Sequence, residues 1–108
     1  MSTIRFNKLV RDRIPEIIDN SGKQSVCTTL SDDEYILMLD AKLNEELAEY
    51  QESKSMEELA DLLEVIRAIA KARGSSIDGV EAIRRDKAIK RGIFERKILL
   101  VEVRNCEG

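Results

Sequence analysis

Glu45-Glu46-Leu47-Ala48-Glu49-Tyr50-Gln51-Glu52-Ser53-Lys54-Ser55-Met56-Glu57-Glu58-Leu59-Ala60-Asp61 reads as the end of one helix, a tight turn and the start of another. Glu46 and Glu49 form one i,i+3 pair, and Glu58 and Asp61 form a second. On a helix each such pair points to one side. Two pairs on antiparallel helices bring four carboxylates together, and like charges resist that unless something offsets them. A divalent cation held by oxygen ligands is the usual reason.

Working outward, Ser31-Asp-Asp-Glu34 is a capping box that starts a long helix running to about Glu52. Ser55-Met-Glu-Glu58 is a second box, and its helix ends near Arg73-Gly74. A connection this short implies antiparallel neighbours. With the turn near Ser53-Lys54, Glu49 and Glu58 lie at similar heights, and Glu46 and Asp61 match one turn further up.

Helical bookkeeping makes the acids unequal. With Leu39 at zero and about 100° per residue, Ile36, Leu43, Leu47 and Tyr50 share an arc of roughly 80°. Glu46 falls about 20° from Leu39, at the border of this apolar arc, and Glu49 lies further out on the same side. An acid beside a buried stripe is disfavoured unless paired, protonated or metal-bound. Glu58 has a second possible job, as the closing residue of a capping box.

The helix after the turn is apolar over most of its circumference, with only Glu57, Glu64, Arg67 and Lys71 in its polar stripe. One partner helix cannot cover such a surface. The expectation is an all-α fold whose helical hairpin assembles by dimerisation into a four-helix-type bundle.

Flanking segments complete a single expected domain over residues 1–108. Arg13 to Asn20 reads as a short helix, with Asp12 as cap, Pro15 in the first turn and Ser21-Gly22 as the stop. Val26, Thr28 and Thr29 suggest a short strand over Gln24 to Leu30. Asp78-Gly-Val-Glu81 starts a helix to about Arg91, stopped by Gly92. The tail from Phe94 to Val103 reads as extended, able to pair with the segment near Val26. The four aromatics, Phe6, Tyr35, Tyr50 and Phe94, are expected in the core.

Composition narrows the function. Charged residues make up 36% of the chain with a net charge of −3, which argues against a nucleic-acid polymer bound through bulk positive charge. No apolar run approaches the ~18 residues that would span a bilayer. The start, Met1-Ser-Thr-Ile-Arg-Phe6, lacks a signal-peptide pattern, so a cytoplasmic location is expected. Cys27 and Cys106 belong to no CxxC pair and read as reduced non-ligands. There is no histidine, which removes imidazole bases and His-containing zinc sites.

All-oxygen ligation suits Mg²⁺ or Mn²⁺, and Mg²⁺ held by a few carboxylates commonly bridges to substrate phosphates. Cations should then lie nearby. Lys8, Arg11 and Arg13 form one group; Arg84, Arg85, Lys87, Lys90 and Arg91 form another. Lys87 and Arg91 are spaced i,i+4 and could converge on a phosphate. No P-loop pattern is present.

The order EExxE, short spacer, ExxD resembles the all-α nucleoside triphosphate pyrophosphohydrolases of the MazG superfamily. Lys8-Leu-Val-Arg-Asp-Arg-Ile-Pro-Glu-Ile-Ile18 resembles the opening of a small MazG-like subgroup of predicted house-cleaning enzymes. Lys87-Ala-Ile-Lys-Arg-Gly-Ile-Phe94, with Glu95-Arg-Lys-Ile-Leu99 after it, resembles that subgroup's C-terminal segment. The resemblance implies Mg²⁺-dependent cleavage between the α- and β-phosphates of a nucleotide. It implies metal ligands at Glu46, Glu49, Glu58 and Asp61, a water-orienting role for Glu45 and a catalytic one shared with Glu46. Lys8, Arg11, Lys87 and Arg91 are the expected substrate contacts. The interval between the acid motifs is shorter than in that family, which leaves little room for a substrate-covering loop and leaves base selectivity open. Phosphoribosyl-ATP pyrophosphohydrolase and, less so, a dUTP-preferring hydrolase are enzyme alternatives. A catalytically silent helical dimerisation module is the alternative from another class.

Overall fold

The computed structural model describes residues 2–106; Met1 and the last two residues of the expected domain lie outside the described residues. Four helices follow one another: α1 over Ile14–Asn20, α2 over Asp32–Ser53, α3 over Met56–Ala72 and α4 over Ile77–Arg91. The described residues contain no strand, and no helix is long and apolar enough to cross a membrane. The fold is all-α. Packing divides the chain into two units, one running to Ile77 and one beginning at Asp78.

The first unit is organised by the hairpin of α2 and α3. Ser31 Oγ accepts from the Glu34 amide and Glu34 Oε1 accepts from the Ser31 amide, so the first capping box is complete. The second box is half-made. Ser55 Oγ accepts from the Glu58 amide, but the Ser55 amide donates to Ser53 Oγ and leaves the Glu58 carboxylate unused as a cap. Lys54 makes the reversal in the left-handed region at φ 56°, and its amide donates back to the Tyr50 carbonyl. At the other end of the hairpin, Arg73 reaches across to Asp40 at 2.8 Å.

Leu39 on α2 and Val65 and Ala70 on α3 form the small buried core. Outside it, Met56, Leu59 and Leu63 sit at i, i+3 and i+7 on α3, all exposed within the single chain. The sequence reading of α3 as apolar beyond what α2 can cover is visible in these side chains.

Several local expectations change. The N-cap of α1 is Arg13, with helical φ and ψ and no side-chain cap bond, so Asp12 does not cap it; Pro15 does sit in the first turn. Gln24 to Leu30 forms no strand, and Val26 is 92% exposed. β-Branched residues favour a pleated surface but cannot make a ladder without a neighbour. The loop is instead tied by Asp19, whose Oδ1 accepts from both the amide and the hydroxyl of Ser25 at 2.8 Å. Phe6 and Phe94 are exposed rather than core, whereas Tyr35 and Tyr50 are half-buried.

In the second unit, α4 begins one residue before Asp78, which therefore lies in the first turn rather than at the cap. Gly92, at φ 85°, ends the helix as expected. The tail beyond it is not a strand; it bends at Phe94 and Arg96, with Lys97 left-handed at φ 58°.

Ser31→Ala should lower stability by about 1 kcal/mol, because it opens a complete box. Glu58→Gln should not weaken the metal-free hairpin, because the carboxylate caps nothing. Urea unfolding followed by helical circular dichroism tests both; a Glu58→Gln loss equal to that of Ser31→Ala would restore the capping role.

Candidate metal centre

Helical period and hairpin register together position the acids. Glu46 lies seven residues, two turns, beyond the buried Leu39, and that phase carries it inward. It is 7% exposed, the one buried charged residue among those described. Across the turn, α3 presents Glu58 and Asp61 from its first two turns. One carboxylate oxygen from each of Glu46, Glu58 and Asp61 lies within 4.8 Å of the others, and the same holds for Glu45, Glu46 and Glu49. Glu46 is common to both groups. The hairpin therefore gathers all five acids singled out in the sequence.

Two oxygens carry the chemical argument. Glu46 Oε2 and Glu58 Oε2 are buried without a hydrogen-bond partner. An unpaired buried carboxylate oxygen is costly, and the remedies are a proton or a cation. The Glu46 carboxyl is pushed up from its ordinary value, first by burial, then by the nearby Glu49 carboxylate, with Lys42 opposing and Asp61 adding repulsion. Glu58 is also pushed up, by loss of solvent first and then by Glu49 and Asp61. Glu49, itself exposed, thus acts on both.

Cations border this acid group. Lys8 Nζ contacts Glu45 Oε1 at 3.2 Å, and an Arg11 guanidinium nitrogen contacts Asp61 Oδ1 at 2.7 Å. Lys42 lies 3.4 Å from Glu45 and 3.6 Å from Glu46. Burial pushes the Glu45 carboxyl upward, but Lys8 and Lys42 together outweigh it and hold it below its ordinary value. Lys42 did not figure among the sequence candidates. Its i,i+3 and i,i+4 spacing to Glu45 and Glu46 was the available signal.

A cleft of about 410 Å³ opens beside the acids, with Leu9 and Arg11 on one side and Lys42, Glu46, Asp61 and Glu64 on the other. A larger groove of about 560 Å³ lies further along the hairpin, between Asp32 and Ala72, and holds none of the clustered acids. The cleft is the place where a ligand would meet the carboxylates.

The remaining candidates are distributed differently. Arg13 pairs with Glu16 on α1. Lys87 and Arg91 lie on α4 in the second unit, both exposed and neither in an ion pair among the described residues. Their neighbours Arg84, Arg85 and Lys90 are engaged with Glu81 and Asp86 on the same helix. Cys27 and Cys106 are free and exposed.

No family model matches the chain, and no solved structure matches it. The chain is similar to an uncharacterised protein of Mycolicibacterium smegmatis, with 67% identity over 42 residues, which is 39% of this chain and 43% of that protein. The chain therefore matches less than half the length of that relative.

Proposed function

We propose that this protein is a Mg²⁺-dependent nucleoside triphosphate pyrophosphohydrolase. The observation that carries the reading is the pair of buried, partnerless oxygens on Glu46 and Glu58, contributed by two helices to one acidic cluster. Hard oxygen donors without histidine or cysteine among them fit Mg²⁺, with Mn²⁺ as a substitute. Glu46, Glu49, Glu58 and Asp61 would hold the cation. The MazG-type order of the acid motifs, together with both flanking segments, supports the nucleotide as substrate and house-cleaning of noncanonical nucleotides as the role.

A cation held by those carboxylates would supply charge neutralisation on the phosphates and a lowered pKa for an attacking water. Glu45, its carboxyl held below its ordinary value by Lys8 and Lys42, would orient a water and accept its proton. The water oxygen bonds to the α-phosphorus, the bond to the bridging oxygen breaks, and nucleoside monophosphate and pyrophosphate leave. Arg11 borders the cleft as a donor for phosphate oxygens. Lys87 and Arg91 are further proposed phosphate contacts, on the strength of their spacing and the C-terminal resemblance. A phosphoribosyl nucleotide would use the same carboxylates.

A second copy of the chain is the proposed cover for Met56, Leu59 and Leu63, giving a homodimer built on α3. The cytoplasm is the proposed location.

Glu46→Gln and Asp61→Asn should each lose most Mg²⁺-dependent pyrophosphate release while keeping helical content. Wild-type release by both variants would end the site assignment.

Metal and pH report on the same carboxylates. Because the folded pKa values of Glu46 and Glu58 are raised, their stabilising contribution is present below the ordinary carboxylate pKa and lost as pH rises through the folded values. At neutral pH the metal-free protein is therefore destabilised by them, and Mg²⁺ should raise the melting temperature, more strongly at pH 7 than at pH 5. At ~100 times its Kd a ligand contributes about 2.7 kcal/mol. Glu46→Gln should raise the metal-free melting temperature and abolish the Mg²⁺ increment. Absence of any increment in the wild type, with or without nucleotide, would favour a silent helical module.

Light scattering at low micromolar concentration should return the mass of a dimer, and Leu63→Glu should return that of a monomer. A wild-type monomer would remove the dimer.

A further inference from the structure

The segment ahead of α1 has no regular structure from residue 2 to Arg11, yet it is fastened to the hairpin at two points. Lys8 meets Glu45 across 37 residues of sequence, and Arg11 meets Asp61 across 50. Neither pairing is a by-product of helical spacing. Leu9, between them, is half-buried, and Leu9, Val10 and Arg11 line the cleft that also holds Glu46 and Asp61. The two cations engage acids at the rim, Glu45 and Asp61, while the inner oxygens of Glu46 and Glu58 keep no partner.

We infer that residues 8–11 form an ionic strap, in which Arg11 is an internal competitor for the divalent cation and, once displaced, a docking group for the polyphosphate that follows it. The inference rests on the metal reading above and adds an order of events to it. Asp61 Oδ1 cannot give its full charge to a cation while it accepts from a guanidinium at 2.7 Å. A dication arriving at Glu46, Glu58 and Asp61 also repels Arg11 directly. Displaced from Asp61, the guanidinium stays on the wall of the same cleft, tethered by Leu9. Its planar fork of donors suits a phosphate as well as a carboxylate. The arginine thus acts in opposite directions on the two ligands: it weakens the cation alone and strengthens the polyphosphate.

Arg11 is exposed, so substitution there leaves the hairpin intact. Mn²⁺ binding to the full chain is read by electron paramagnetic resonance without nucleotide, and tripolyphosphate binding is read calorimetrically at saturating Mn²⁺. Arg11→Gln should bind Mn²⁺ about three- to fivefold more tightly, the scale of one exposed ion pair, and tripolyphosphate about tenfold more weakly, the loss of one charge-assisted contact. Arg11→Lys should bind Mn²⁺ like the wild type, because it keeps the competing charge, and still bind tripolyphosphate more weakly, because it lacks the fork. The Mn²⁺ gain should shrink at high salt. Unchanged or weaker Mn²⁺ binding by Arg11→Gln overturns the strap, as does unchanged tripolyphosphate binding. Glu46→Gln separates the two levels. If it loses Mn²⁺ while Arg11→Gln matches the wild type, the metal reading stands and the strap falls. If wild type and Glu46→Gln fail alike to bind Mn²⁺, both fall.

Discussion

Repulsion among carboxylates crowded at one end of a helical hairpin is the constraint on which the rest of this structure depends. Glu46 is inside because its phase on α2 follows that of Leu39, and no rotation of the helix exposes it without exposing Leu39 too. Once Glu46 is inside, Glu49, Glu58 and Asp61 cannot be read as independent surface acids, since Glu49 and Asp61 both push up the carboxyls of Glu46 and Glu58. The basic residues at the border follow from the same fact. Lys8 and Arg11 offset part of the charge at the rim, where water still screens them, and Lys42 reaches further in, to Glu46 as well as Glu45. The inner oxygens of Glu46 and Glu58 keep no partner.

Helix-level features were legible in the residues because they depend on short-range rules. The Ser31 box, the stop at Gly92 and the turn near Ser53-Lys54 all follow from local backbone chemistry. The burial of Glu46 was legible for a related reason, since period and hydrophobic phase fix a side chain's direction before any partner is known. Convergence of Glu46, Glu58 and Asp61 then needed only the turn position.

What failed to show in the sequence depended on competition or on distance. Ser55 has the spacing of a full capping box, but Ser53 stands two residues away and takes the amide that Glu58 would have accepted from. That one exchange frees Glu58, and spacing rules do not rank rival acceptors. The pairs from Lys8 to Glu45 and Arg11 to Asp61 span too much chain for any periodicity to reveal them. The β-branched run near Val26 carries strand propensity without a ladder partner, so propensity alone misled there.

The whole acid cluster lies within residues 45–61, a single reversal of the chain. Contacts this local form early, on the timescale of helix and turn formation rather than of domain assembly. Since a chain is synthesised from its N-terminus, Lys8 and Arg11 have already been made when the first of the acids emerges. Their pairs with Glu45 and Asp61 still close across 37 and 50 residues, later than the hairpin, so while the hairpin closes the nearby counter-charge is Lys42 on α2 itself.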